Sequence, residues 1–178
     1  MRVAVVYESY FGHTRGVAAA IAEGLRARAD VDRVDICEVG DAPPDLDVDL
    51  LVVGGPVHAW SMSRERTRDD ARQQVQAHGH EPVSKGPGVR EWLQQLVATA
   101  DHEHHLAATF DTAVKLTWFP VGSAAKPEAK VLAAKGFSIV APPEHFFVGD
   151  TGGPLLPGEL DRARAWAQAL PTTRPPHA

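Results

Sequence analysis

The chain has 178 residues, a formal charge of −5, 44% hydrophobic residues and 23% charged ones. That length can bury a core without staples, and its single cysteine, Cys37, excludes an internal disulfide and any cysteine-based metal cluster. The mild acidity argues against nucleic acid as a partner, and no apolar run approaches the roughly 18 residues of a membrane span.

Met1-Arg2 runs straight into Val3–Val6 with no leader pattern, so a cytoplasmic protein is expected. Arg2–Tyr7 is a β-branched, nearly continuous apolar run, as a strand covered on both faces requires. Val17, Ile21 and Leu25 recur every four residues and predict a helix. Val34 and Ile36 alternate with Asp35 in a second, less buried strand, which carries Cys37 as an expected buried thiol. Leu50–Val53 is a third strand, and Val89, Trp92, Leu93, Leu96 and Val97 follow helical spacing. Leu106–Phe110 reads as strand and Ala124–Lys135 as a helix closed by Gly136. Phe137–Ala141 is the fifth strand, with Phe146-Phe147-Val148 as its extension beyond Pro142-Pro143. Ala163, Trp166, Ala167 and Leu170 stripe the last helix before Pro171 stops it.

Strand and helix alternate through five units, which predicts one α/β domain over 1–170 with a parallel sheet. Right-handed crossovers allow the order 2-1-3-4-5 or a Rossmann order, and in both, ligands bind outside the carboxyl ends of the strands. Two stretches fall outside the alternation. Residues 61–88 are long and polar, carry Arg64, Arg66, Arg68 and Arg72, and are expected to form a mobile insertion or lid. Residues 171–178 are Pro-rich and expected to be a disordered tail. Arg64 and Arg68 are candidates to clamp a nicotinamide phosphate, against a solvated helix face as the competing account. His102, His104 and His105 read as a solvated patch, with no metal expected.

After the first strand comes Ser9-Tyr10-Phe11-Gly12-His13-Thr14, where the first helix begins. Free N–H groups and the positive end of the helix dipole would face an anion there. Ser9 and Thr14 add hydroxyl donors, and Gly12 lets the backbone curl closely. The triphosphatase motif Gly-x-x-x-x-Gly-Lys-Ser/Thr and the dinucleotide motif Gly-x-Gly-x-x-Gly are both absent here. Simple capping of the helix by Ser or Thr is the alternative.

Ser9–Thr14 resembles the phosphate loop of the flavodoxins. Asp49–Trp60 is similar to their third strand and first flavin loop, and Phe110-Asp111-Thr112 to the start of their second. The resemblance spans Arg2 to Leu170 and implies a three-layer flavodoxin-like fold with a five-stranded sheet in the order 2-1-3-4-5. It also implies flavin mononucleotide (FMN) as cofactor, with its phosphate on Ser9, Tyr10, Phe11, Gly12, His13 and Thr14. Pro56, Val57, His58, Ala59 and Trp60 would line one side of the ring. Phe110, Asp111, Thr112 and Trp118 would line the other. Trp60 is the candidate to stack on the ring, and His58 to donate to it. The chain departs from short flavodoxins in lacking their acidic Gly-x-Gly-Asp stretch and in carrying the Arg-rich segment. The implied function is electron transfer through bound flavin, with a redox protein or an NAD(P)H- or quinone-type molecule as partner. The rivals are an NAD(P)H-dependent flavin or quinone reductase, and a module that has lost flavin.

Overall fold

The structure, a computed structural model, describes residues 1–97, 105–115 and 121–173. Among the described residues, six parallel strands and five helices follow one another: β1 (Arg2–Tyr7), α1 (His13–Arg26), β2 (Arg33–Glu38), β3 (Leu50–Pro56), α2 (Glu65–Ala77), α3 (Val89–Gln95), β4 (Leu106–Val114), α4 (Ala125–Ala134), β5 (Ser138–Ile139), β6 (Glu144–Val148) and α5 (Glu159–Ala169). The sheet order is β2-β1-β3-β4-β5, with β6 also paired to β4. Of the two orders open to the sequence, this is 2-1-3-4-5.

The period of two along each strand sorts the core into two layers. Val3, Val5, Val52 and Ala108 face α1 and α5, where they meet Ile21, Leu25, Ala163 and Ala167. Ala4, Val6, Leu51 and Val53 face the opposite layer and meet Trp92, Leu93 and Leu96 around α3, and Leu132 of α4. Both faces of β1 and β3 are therefore covered, which is why their sequences read as unbroken apolar runs. Trp92 is buried, and Trp166 packs half-buried against the first layer. Cys37, expected to be buried, is half-exposed, because β2 is an edge strand.

The fifth position of the sheet corrects the sequence reading. It is filled by two strands, β5 pairing with Leu106 and Ala107, and β6 pairing with Phe110–Val114. Pro142-Pro143 lies between them, and proline cannot donate to the ladder, so one strand becomes two. Glu159 of α5 fastens β6 by accepting from the Phe147 N–H at 2.7 Å, and Arg162 bridges Glu159 and Glu144. Among the described residues, no helix is long and apolar enough to cross a membrane.

Candidate functional site

The carboxyl ends of β1, β3, β4 and β6 open on a cavity of about 310 Å³, at the lower end of the range of small-molecule sites. Its floor is the loop between β1 and α1. Gly12 caps α1 at φ 91, a left-handed conformation, and no side chain caps the helix. Ser9 lines the cavity, yet the residue is only 1% exposed and its buried Oγ has no hydrogen-bond partner. The buried Nε2 of His13 also lacks one. Burial holds His13 below its ordinary pKa, partly offset by Asp150, so its ring stays neutral. The buried Thr14 hydroxyl shares a 2.7 Å hydrogen bond with that of Thr112. No side chain of the loop closes the start of α1.

Residues 61–88, expected to form a mobile insertion, are built into this floor and wall. The Ser84 Oγ accepts from the Ser9 N–H at 2.9 Å, and the Ser84 N–H donates to the Ser9 carbonyl at 2.7 Å. Ser84 is fully buried, and Ala71 and Val75 of α2 pack on Tyr10. Thr67, Asp70, Ala71 and Gln74, spaced i, i+3, i+4 and i+7, turn one face of α2 into a cavity wall. Arg68 points the other way and is buried in an ion pair with Glu91 at 3.0 Å, so it is not free to clamp a ligand.

Opposite the floor, His58 and Ser61 exchange backbone hydrogen bonds of 2.8 and 3.0 Å across a tight turn. Its central residues, Ala59 and Trp60, both have positive φ, at 45° and 74°, which is the pattern of a type I′ turn built without glycine. Gly122 makes this possible from outside: a Cβ there would lie 2.3 Å from the Trp60 Cα. The Ser123 N–H adds a hydrogen bond to the Trp60 carbonyl at 3.1 Å. His58 sits edge-on to Tyr10, with centroids 5.4 Å apart, and burial holds it below its ordinary pKa.

Behind the cavity lies a group of buried carboxyls. Glu8 accepts from the Tyr10 hydroxyl and the Val89 N–H, each at 2.8 Å. Burial and the Glu8 charge push the Tyr10 hydroxyl above its ordinary pKa, so it remains a donor. Asp111 accepts from Ser123, Ala124 and Ala125 at the start of α4 and pairs with His145 at 2.7 Å. That hydrogen bond raises the His145 pKa. Glu128 is fully buried with neither carboxyl oxygen bonded, and burial, with Asp111 and Glu8 adding to it, drives its pKa well up. Among the described residues, no group of three or more His, Cys, Asp and Glu is placed to hold a metal.

No protein family and no curated protein matches this sequence. Solved structures do. The Streptococcus pneumonia TIGR4 flavodoxin superposes with a TM-score of 0.62 at 15% identity, over 94% of this chain and 96% of that one. A flavodoxin from the domain Archaea gives 0.60 at 15% identity, over 94% of both chains. The chain has the flavodoxin-like fold. The flavodoxin WrbA-like protein from Agrobacterium tumefaciens matches at a TM-score of 0.53 and 17% identity, over 95% of this chain and 94% of that one.

On this flavodoxin-like frame, Ser9, Tyr10, Phe11, His13 and Thr14 line the cavity, as do Pro56, Val57, His58, Ala59 and Thr112. Gly12 lies on the adjoining face of the same loop. Three expected residues lie off the wall. Phe110 shares a strand face with Thr112 but lies lower, fully buried and edge-on to Phe146 and Trp166. Asp111 faces the other layer, where the α4 N-terminus and His145 take both its oxygens. Trp60 is 62% exposed beyond the rim. Trp118, His102 and His104 lie outside the described residues, as does the tail beyond residue 173. Sequence reasoning missed the α2 face and the loop Asp150-Thr151-Gly152, which lines the cavity after β6. The signal for that loop was its place after a strand's carboxyl end.

Proposed function

We propose that the chain is a flavin-binding redox protein that takes FMN at the phosphate loop and transfers electrons between a redox partner and the bound flavin. One observation carries the reading: the Ser9 hydroxyl, buried and unpartnered on the cavity floor beside the uncapped start of α1. A buried hydroxyl left unmade costs about 1–3 kcal/mol, so this geometry suits a polar ligand group placed against it. A flavin phosphate meets that demand, with Ser9, Thr14 and the first N–H groups of α1 as its holders.

The flavin supplies the electron chemistry, and the protein supplies position and electrostatics. Thr112 donating to Thr14 would leave the Thr14 proton free for the phosphate. His58, neutral and backed by Tyr10, presents a ring that can hold or release one proton at the cavity wall. The α2 face walls one side of the cavity, where it would shield a bound ring from water. The flavodoxin neighbours support a carrier role. The engagement of Arg68 with Glu91 weakens the nucleotide-clamp argument for a reductase.

The test is fluorescence titration of purified protein with FMN and riboflavin. FMN should bind and develop a protein-bound flavin spectrum, with riboflavin weaker by roughly 10-fold or more, because it lacks the phosphate. Equal affinity for the two would remove the phosphate-loop reading, and no binding of either would assign a module without flavin. Turnover of NADPH with a quinone by the loaded protein would assign the reductase activity.

A further inference from the structure

Across the phosphate loop from the cavity lies a second pocket of about 370 Å³, which shares Tyr10, Phe11 and Gly152 with the first. Val75 and Val83 give it apolar wall, while Arg15, His78 and His80 make its rim basic. The Arg15 guanidinium folds back over the loop, with one nitrogen 3.8 Å from where a Cβ on Gly12 would sit. Arg15 is exposed, and among the described residues no carboxylate pairs with it. The acidic member of the pocket, Glu81, is tied to Lys85 at 3.0 Å.

We propose that this second pocket holds the adenylate half of a flavin dinucleotide, with Arg15 on the second phosphate. The inference rests on the flavin reading and deepens it: the phosphate held by Ser9 and Thr14 is then the first of a dinucleotide in place of that of FMN. The two pockets meet at Tyr10, Phe11 and Gly152, so a pyrophosphate lying over that loop would reach both. Its first phosphate would meet Ser9 and Thr14, and its second would meet Arg15. An adenine ring is flat, apolar on its faces and polar at its edge, which matches valine walls under a histidine rim. A mononucleotide would use the first pocket alone and leave Arg15 with no anion.

The experiment is calorimetric titration of the full chain, freed of flavin, with FMN, FAD and ADP, for wild type, Arg15→Gln and Val83→Trp. FAD should bind wild type at least about tenfold more tightly than FMN. Arg15→Gln should lower FAD affinity about tenfold and FMN affinity less than about threefold, since a charge-assisted bond to the second phosphate is lost. Val83→Trp fills the pocket and should abolish the preference for FAD while FMN still binds. Equal affinity of wild type for FMN and FAD would overturn the proposal and leave the flavin reading intact. Equal losses for both ligands in Arg15→Gln would overturn it too, placing Arg15 on the first phosphate. ADP binding beside saturating FMN, with no gain for FAD, would overturn the dinucleotide in favour of a separate nucleotide. Failure of both flavins to bind would remove the flavin reading and this one with it.

Discussion

Replacing Ser9 by alanine should weaken the ligand complex without weakening the fold. The Ser9 Oγ is buried and unpartnered, so the ligand-free protein carries the desolvation cost of one hydroxyl, about 1–3 kcal/mol. Alanine removes that cost and leaves a hole smaller than a methyl group, worth up to about 1 kcal/mol in lost packing. Stability of the ligand-free chain should therefore stay unchanged or rise by about 1–2 kcal/mol, read from urea unfolding. Binding should move the other way. A hydroxyl hydrogen bond to a charged phosphate is worth about 1.5–3 kcal/mol, so FMN affinity should fall roughly 10- to 150-fold. Riboflavin affinity should barely change. Thr14→Val is the contrast: its hydroxyl already pairs with Thr112 at 2.7 Å, so that variant should lose about 1 kcal/mol of stability as well as FMN affinity. A Ser9→Ala protein destabilised by more than about 1 kcal/mol, with unchanged FMN binding, would show that the hydroxyl supports the loop and would refute the reasoning.

Other residues give sharper tests of the fold around the site. Glu128 keeps its proton in the folded chain, while the unfolded chain releases it above about 4.5. One proton is then bound more tightly in the native state, so its term lowers stability as pH rises, by about 1.36 kcal/mol per unit up to its raised folded pKa. Glu128→Gln should flatten that slope in unfolding curves taken between pH 5 and about 8, a window set by the usual stability maximum. Gly54→Ala would place a Cβ 2.4 Å from the Phe110 ring, and should cost about 1–3 kcal/mol by overpacking, seen as a lower thermal midpoint. Asp111→Asn weakens the hydrogen bond and removes the charge that raise the His145 pKa, so the His145 titration followed by NMR should fall toward 6.5. The Asp111–His145 pair stabilises fully below that ordinary value and is lost as pH rises through the raised folded one, so this variant should also lose the corresponding pH dependence.

Much of this protein was legible before folding because burial on both faces writes itself into local sequence. The unbroken runs Val3–Val6 and Leu50–Val53 announced central parallel strands, and the stripe through Val17, Ile21 and Leu25 announced a helix against them. The loop Ser9–Thr14 stood out because its hydroxyls and glycine sit at the junction of strand and helix, and all but Gly12 of it lines the cavity. Period alone does not say how far along a strand a residue sits beneath its covering helix. Phe110 and Thr112 share a face, yet α1 and α5 bury the first, and only the second reaches the cavity. Nor does composition reveal that Gly122 lies against the left-handed turn at Ala59 and Trp60, since the two are some sixty residues apart along the chain. A polar, Arg-rich stretch reads as a free lid until its buried anchors, Arg68 to Glu91 and Ser84 to Ser9, are seen as contacts between distant segments. What the sequence determined was the central strands and the helices that cover them, through local periodicity. What only the tertiary structure decided was which hydroxyl goes without a partner, because that depends on every neighbour the fold brings to it.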